Sequence, residues 1–482
     1  MKTSAFLTID IGTSSIRVSL FDENMGPIGS KSYPVITRHQ VDMLLYWNII
    51  LQLMEEVLGE NKKIEVKAIA VSSLLGWVPV DEHGNPLCQG MTYLDHKPKQ
   101  LEEFINKFDA HQFYQITGRM LNDELGGLKL RYLQQEQPEV YERTKYFLTL
   151  KDFINMKLTG NAYTDITFAG YYMLFDVQSL VWSEEIISSL GVNGCKLPPL
   201  AYGSERIGFV KPEWCIRFGF AKNVAVAAGG PDGSVGVLGA GGLHEGMAVN
   251  ISGTTDVMFC LTDRLVFDKG ERVVVNPYMI PGLWLVGGPM ALYGGTIHWM
   301  REKIVAEAYG LGQMEEECKS LPPGSEGVLI IPALNGERTP YWQPQVRGSI
   351  MGLSQSHRRE HIFRAIMEAN AYTLRYVKDI LQEGQIEPRR MRVIGGGAAN
   401  KLWLQIKASV LDLPIDVPKW GEATSLGCAI LAAMAVGCWN RQKDNFQVKF
   451  TVKPDETAKE YQKLYRNYLT FHQRMTEFYL EH

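Results

Sequence analysis

Two short segments of this 482-residue chain share one outline. Phe6 to Leu20 reads FLTIDIGTSSIRVSL, two apolar runs around a small polar knot. Val249 to Phe259 reads VNISGTTDVMF, again an apolar run, a Gly-Thr-hydroxyl turn and an apolar run. Each predicts a strand–turn–strand hairpin, with glycine supplying the tight turn. Superposing them sets Ile9-Asp10-Ile11-Gly12-Thr13-Ser14 over Asn250-Ile251-Ser252-Gly253-Thr254-Thr255. One matching turn has chance as its plain explanation, but the elements that follow match too. After the first hairpin come the turn DENMG, the extended piece PIGSKSYPV, a helix in LYWNIILQLMEEVLG with Leu45, Ile49, Leu53 and Val57 at four-residue spacing, and the strand IEVKAIAVSS. After the second come the extended RVVVNPYMIPGLWLVGG, the helix EHIFRAIMEANAYTLRYVKDIL, the strand MRVIGGGAAN and the helix KLWLQIKASVL. Duplication of a whole α/β domain is the simplest account.

A chain of this length exceeds one ordinary core, which fits two such domains. We place them at residues 1–243 and 244–482. Residues of roughly 95–215, helical and long-looped, form an insertion that shapes a pocket on the first. A net charge of −4 and a pI near 6.2 suggest no general affinity for nucleic acid or acidic membranes. The seven cysteines are scattered without a CxxC, which predicts reduced thiols. The opening MKTSAFLTID reaches an aspartate too soon for a signal peptide, and ATSLGCAILAAMAVGCW is rich in small residues. It reads as a helix packed inside a domain, and the expectation is a cytoplasmic protein without a membrane span. The histidines show no HExxH or similar ligand pair, so satisfied or surface histidines are expected. The C-terminal YQKLYRNYLTFHQRMTEFY predicts an amphipathic helix docking its aromatic face on the second domain.

A tight turn between strands points consecutive backbone N–H groups outward and makes a cavity for anions. Glycine lets a phosphate approach, and the hydroxyls of Thr13, Ser14, Thr254 and Thr255 add donors. Asp10 precedes the first turn and could hold a hydrated Mg²⁺, which takes one or two carboxylates plus phosphates. The second turn has Ile251 there. One turn is therefore expected to serve metal and phosphate and the other phosphate alone, gripping a nucleoside triphosphate across a cleft. No GK[ST] P-loop occurs. Gly395-Gly396-Gly397 follows a strand and precedes a helix, nearly a dinucleotide fingerprint, with Asn400 where the third small residue belongs and Asp416 near the place of a ribose-binding acid. A nucleotide-linked oxidoreductase is a rival reading of that segment alone, but it leaves the two hairpins unexplained. In GGPDGSVG, Asp232 stands in a glycine-flanked turn after a strand, open to a substrate hydroxyl whose proton it could accept in phosphoryl transfer.

Together these residues resemble the FGGY carbohydrate kinases, of the actin-like ATPase superfamily. The resemblance runs through IDIGTSSIRVSLFDENMG, KDFINMKLTG, GGPDGSVGVLGAG, ISGTTDV, GERTPYWQPQVRGSIMGLS, VIGGGAANKLWLQIKASVLDLPIDVP and EATSLGCAILAAMAVG. It implies two duplicated actin-like (ribonuclease H-like) α/β domains, with mixed sheets flanked by helices and with ATP and Mg²⁺ in the cleft between them. It assigns the catalytic base to Asp232, the metal and first phosphate motif to Asp10, Gly12, Thr13 and Ser14, the second to Gly253, Thr254 and Thr255, and the adenosine motif to Gly395, Gly396, Gly397 and Asn400. A homodimer is common among such proteins.

The substrate side departs from better-known members. Leu74-Leu75-Gly76 stands where xylulose kinases typically carry Met-His-Gly, and the Arg-Glu pair of glycerol kinases is missing. The usual Trp-x-Asp-x-Arg becomes Tyr93-Leu94-Asp95-His96-Lys97, a point charge for a forked guanidinium. Gly233 after the base looks more like gluconate kinases. Leu75, Trp77, Asp95 and Lys97 are the expected pocket residues, although a buried Trp is as often core. Arg338 in GERTP is expected either to orient a loop near the cleft or simply to hold that loop to the second domain, the second being the preferred reading. The resulting expectation is an ATP-dependent kinase of a small sugar, first a ketopentose such as xylulose, otherwise an aldonic acid (gluconate) or another polyhydroxylated compound. An actin- or chaperone-like ATPase switch is the alternative from another class, and it has no need for an open carboxylate such as Asp232.

Overall fold

The computed structural model describes residues 3–305, 310–439 and 446–482. Two seven-stranded mixed sheets organise it. In the first, Thr3–Ile11 and Ser15–Asp22 form the first hairpin and Pro27–Pro34 extends it antiparallel. Ile64–Ser73 and Ala225–Ala227 continue parallel on the other side, and Arg206–Phe209 closes that edge antiparallel. In the second, Met247–Ser252 and Asp256–Thr262 form the hairpin, Trp284–Pro289 extends it antiparallel, and Arg390–Ile394 and Ile415–Pro418 continue parallel. Val274–Pro277 and Val448–Val452 cover the two edges. Both sheets thus share five strands in the chain order third, second, first, fourth, fifth. Ala5 to Ile9 are fully buried, so the first strand reads as a continuous apolar run with both faces covered.

A helix follows the fifth strand of each sheet, Asp232–Gly239 in the first half and Ala423–Ala435 in the second, and the two helices cross between the sheets. Their small residues are required by that crossing. A Cβ on Gly239 would lie 1.8 Å from the carbonyl oxygen of Ala423, and one on Gly427 would lie 2.0 Å from that of Val235. Phe6 and Ala70 from the first sheet, Val249 and Phe259 from the second, and Val237, Cys428 and Leu431 from the helices form one shared core. The apolar run at 423–439 is therefore a helix at the centre of the molecule. Among the described residues no helix is long and apolar enough to cross a membrane.

Above the first sheet sits a cap whose four-stranded sheet joins Gln40–Val41, Gly90–Thr92, Gly76–Val80 and Tyr146–Thr149. Trp77, Phe113, Phe147 and Tyr172 fill its core. The cap is sewn to the edge strand Val274–Pro277 of the second sheet. The Val275 N–H donates to the Gly118 carbonyl at 2.8 Å, and Arg119 donates to Asn276 Oδ1 at 2.9 Å. Helix Met43–Glu60, capped by Asp42, covers the first sheet with Ile49, Leu53 and Val57 buried, but Leu45 is exposed. A four-residue ladder drifts by about 40° per step around a helix, so its first member falls off the buried face. The C-terminal helix Ala458–Glu481 buries Tyr461, Tyr465, Tyr468 and Phe471 against the second half.

Candidate active site

The first hairpin brings two carboxylates to neighbouring strand ends. Asp10 lies opposite Ser72 across the parallel pairing, and Gly230 lies opposite Ser72 on its other side. The chain then passes through Pro231 into Asp232, so both aspartates emerge at the carboxyl ends of adjoining parallel strands, the customary binding edge of an α/β sheet. The Ser72 hydroxyl donates to Asp10 Oδ1 at 2.7 Å. Burial, outweighing that bond, pushes the Asp10 carboxyl up to about 6. Burial and the neighbouring Asp10 push Asp232 up to about 7, against the lowering effect of the Gly233 N–H, which donates to Asp232 Oδ1 at 2.7 Å. Asp232 is not in a turn, as expected from its glycines. It is the first residue of helix Asp232–Gly239, which Pro231 can precede because the helix start needs no donor there. Gly12 and the exposed Thr13 and Ser14 form the turn, braced from behind where the Thr37 hydroxyl donates to the Thr13 carbonyl at 2.7 Å.

The second hairpin ends one residue tighter. Its last pair is Ser252 with Asp256, whereas the first closes on Ile11 with Ile16. Ile251, the counterpart of Asp10, faces the helix that Asp232 begins, for a Cβ on Gly233 would lie 3.8 Å from Ile251 Cδ1. Beneath this turn sits a fully buried cation that sequence reasoning missed. Lys407 Nζ donates to Asn250 Oδ1 at 2.7 Å and to Ser252 Oγ at 2.9 Å, and lies 3.9 Å from Asp256 Oδ2. The Ser252 hydroxyl donates to Asp256 Oδ2 at 2.9 Å, and the Asn250 amide donates to Asp256 Oδ1. Burial lowers the Lys407 ammonium to about 8, opposed by Asp256.

The glycine cluster lies against the same turn. Gly395 has φ 85°, and a Cβ on Gly397 would fall 2.2 Å from Ser252 Oγ, so both glycines are required by the approach of the hairpin. Asn400 caps helix Lys401–Leu411, accepting from the Trp403 N–H at 2.8 Å. Its side-chain oxygen is thereby committed to the helix, which narrows its expected adenosine contact to the amide nitrogen. Asp416 is buried and bound by Arg390 at 2.7 Å and by the Thr451 hydroxyl at 2.6 Å. It has no free oxygen for a ribose, and Gly396 and Gly397 belong to a short 3-10 turn, Gly396–Ala399, that precedes the helix. The oxidoreductase reading of this segment falls away.

On the acceptor side, Leu75 is half-buried beside the cap core and its carbonyl accepts from the Tyr93 N–H at 3.0 Å. Trp77 is cap core. Its ring meets Phe168 and Tyr172 edge-on, and its Nε1 has no hydrogen-bond partner among the described residues. Lys97 is not a free cation. Its Nζ donates to Asp95 Oδ1 at 2.6 Å and lies 3.8 Å from the centroid of the Tyr132 ring, while Asp95 Oδ2 is left without a partner. Lys129, fully buried, donates to the Glu124 carbonyl at 2.6 Å, and burial lowers it to about 7. Arg338 overturns its preferred reading: it reaches out of the second half to pair with Glu124 of the cap. Tyr93 lies in the field of both Asp232 and Arg338. Neither contact leaves a mark in local sequence, since the partners of the Arg338 pair stand 214 positions apart.

Glu326, His357 and His361 place ligand-type atoms within 4.8 Å of one another. Each imidazole Nδ1 accepts a backbone N–H, from Ser354 at 2.8 Å and from Arg358 at 3.1 Å. The proton then sits on Nε2, which suits the hydrogen bond of His361 to Glu326 and not a metal.

Two halves of one sheet topology, each opening on a Gly-Thr turn, and two neighbouring buried carboxyls suit a phosphotransferase. The chain belongs to the FGGY family of carbohydrate kinases: the family's N-terminal domain matches residues 5–239 and its C-terminal domain residues 248–436. It is 29% identical over 445 residues to a xylulose kinase of Lactococcus lactis subsp. lactis (strain IL1403), covering 90% of this chain and 88% of that protein. It is 26% identical over 484 residues to a gluconokinase of Bacillus subtilis (strain 168), covering 96% of this chain and 94% of that protein. Its fold superposes on the crystal structure of gluconate kinase from Lactobacillus acidophilus with a TM-score of 0.93 at 22% identity, over 100% of both chains.

Proposed function

We propose that this carbohydrate kinase transfers the γ-phosphate of ATP to a hydroxyl of a small neutral sugar, with a ketopentose such as xylulose as first candidate. The observation that carries the reading is Asp232, a carboxyl held up to about 7 at a strand end beside Asp10 and carrying no ion pair among the described residues. A base poised near the working pH accepts a proton most effectively. As the sugar oxygen bonds to the γ-phosphorus, its proton passes to a carboxylate oxygen of Asp232, and the bond from phosphorus to the bridging oxygen breaks to release ADP. Thr13, Ser14, Thr254 and Thr255 would bind the phosphates from two sides, and Gly395 to Gly397 would border the adenosine.

Two raised carboxyls side by side, the nearest cation Arg17 being paired with Glu422, fit a divalent ion better than they fit each other. Asp10 would hold Mg²⁺, which when bound neutralises phosphate charge. Neutral acceptors are favoured because two acceptor-side cations are already matched, Lys97 by Asp95 and Arg338 by Glu124, and burial works against the charge of a third, Lys129. Asp95 Oδ2 remains to accept a sugar hydroxyl. The second reading, an aldonic acid such as gluconate, draws on the gluconokinase relatives and would require one of those ion pairs to open.

Coupled ADP release over pentuloses, polyols and aldonic acids tests the reading. A pentulose should stimulate turnover most, and Asp232→Ala should abolish the stimulation while ATP still binds. Strongest stimulation by an aldonic acid would replace the substrate assignment, and no stimulation by any hydroxylated compound would sink the reading.

A further inference from the structure

We propose that Arg338 is an acceptor-side positioning residue supplied by the second half, and that its pair with Glu124 is a latch holding the cleft closed over the acceptor. This rests on the kinase reading above. The loop that carries Arg338 is fixed to the second half at nearly every other residue. Glu337 is buried and accepts from His472 at 2.8 Å. The Thr339 N–H donates to the Pro289 carbonyl at 3.1 Å, Tyr341 stacks on His472 with centroids 3.6 Å apart, and Trp342 Nε1 donates to the Arg272 carbonyl at 2.9 Å. Gly288 makes room for this loop, since a Cβ there would fall 2.3 Å from Thr339 Oγ1. The Arg338 side chain leaves that setting. It crosses to Glu124, whose backbone carbonyl holds the buried Lys129 and whose neighbour Asp123 binds His96 at 2.8 Å.

An ion pair with its members on opposite walls forms only when the walls are close, so the pair and closure stabilise each other. Tyr93 lies within the electrostatic reach of both the Arg338 guanidinium and Asp232, and its hydroxyl makes no hydrogen bond among the described residues. The pair thus joins the second half to the cap, the part of the first half that also carries Tyr93 and the pocket residue Leu75, to which the Tyr93 N–H is bonded. Closure there keeps water from replacing the sugar hydroxyl as phosphoryl acceptor.

The test uses the full-length protein with Arg338→Met, Glu124→Gln and the charge-exchanged double variant Glu124→Arg/Arg338→Glu. Each single variant should raise KM for the acceptor about tenfold while KM for ATP changes less than about twofold. Each should also raise the ratio of ATP hydrolysis to sugar phosphorylation, and the exchanged pair should recover part of both losses. Small-angle scattering with ATP and Mg²⁺ should show Arg338→Met more open than the unaltered protein, a readout that needs no turnover. Failure of every sugar in the unaltered enzyme would overturn the kinase reading and leave the scattering arm to judge the latch. An unchanged hydrolysis ratio and unchanged scattering, or an exchanged pair no better than the sum of its parts, would overturn the latch.

Discussion

The two hairpin turns begin from nearly the same letters and end in opposite electrostatic settings. In the first, the strand before the turn turns Asp10 toward the cleft, beside Asp232, and both carboxyls resist ionisation. In the second, the matching residue is Ile251, and the polar groups lie on the other face, where Asn250, Ser252 and Asp256 surround buried Lys407. The first turn has acid in front and apolar residues closing the hairpin; the second has an apolar residue in front and a cation behind. Duplication supplied the scaffold, and a few side chains on alternate faces of one strand divided the labour. On the function proposed above, the first turn would take a hydrated cation with phosphate and the second phosphate alone.

The comparison can be broken in four places. The largest effect belongs to Asp232→Ala, which should lower kcat by about 10³-fold or more, within the usual range for a general base, with little change in nucleotide binding. Steady-state kinetics beside ATP titration would show it, and an intact kcat would remove Asp232 from the reaction. Next, Lys407→Met leaves Asp256 buried without its cation and should cost about 3–5 kcal/mol of stability in denaturant unfolding. A neutral outcome would mean the second turn does not depend on the charge behind it.

Asp10→Asn should act in the opposite direction. Because Asp10 and Asp232 bind protons more tightly folded than unfolded, their contribution to stability is complete below about pH 4 and is lost as pH rises through about 6 to 7. Removing one of the two charges should therefore stabilise the nucleotide-free protein at pH 8 by on the order of 1–3 kcal/mol, and move the Asp232 titration to lower pH. Thermal scans from pH 5 to 8 would read the first and NMR titration of the Asp232 carboxyl the second. The smallest effects are expected from Gly12→Ala and Gly253→Ala. An added Cβ meets only Ser15 O at 3.3 Å in one and Thr255 O at 3.5 Å in the other, and neither glycine has positive φ. Each should change stability by less than about 1 kcal/mol, while KM for ATP rises as the methyl group enters the space offered to phosphate. A large stability loss in either would make that glycine structural.

The hairpins and the repeated order of strands and helices are legible in the sequence, because each is written in local periodicity and turn chemistry. The groups that set the site's electrostatics are not. Lys407 sits in an ordinary amphipathic helix pattern and meets Asn250 from 157 positions away. Asp232 looks like a turn residue because glycines flank it, yet a helix starts there, and Gly229 before it is required by the close approach of the Val71 carbonyl, 1.9 Å from where its Cβ would lie. Asn400 reads as part of a nucleotide fingerprint while its oxygen is busy with a helix cap, and Lys97 reads as a charged pocket residue while Asp95 already neutralises it. Local text reports backbone shape well, but it cannot report which long-range partner has already consumed a charge.

The division between the turns is tested most directly by the gain in ATP affinity on adding Mg²⁺, measured by calorimetry in Asp10→Asn and in Ile251→Asn at the equivalent place. The account predicts that Asp10→Asn loses the Mg²⁺-dependent gain while still binding metal-free nucleotide, and that Ile251→Asn keeps it. An Asp10→Asn protein that retains the full gain, or an Ile251→Asn protein that loses it, would contradict the assignment of metal to the first turn alone.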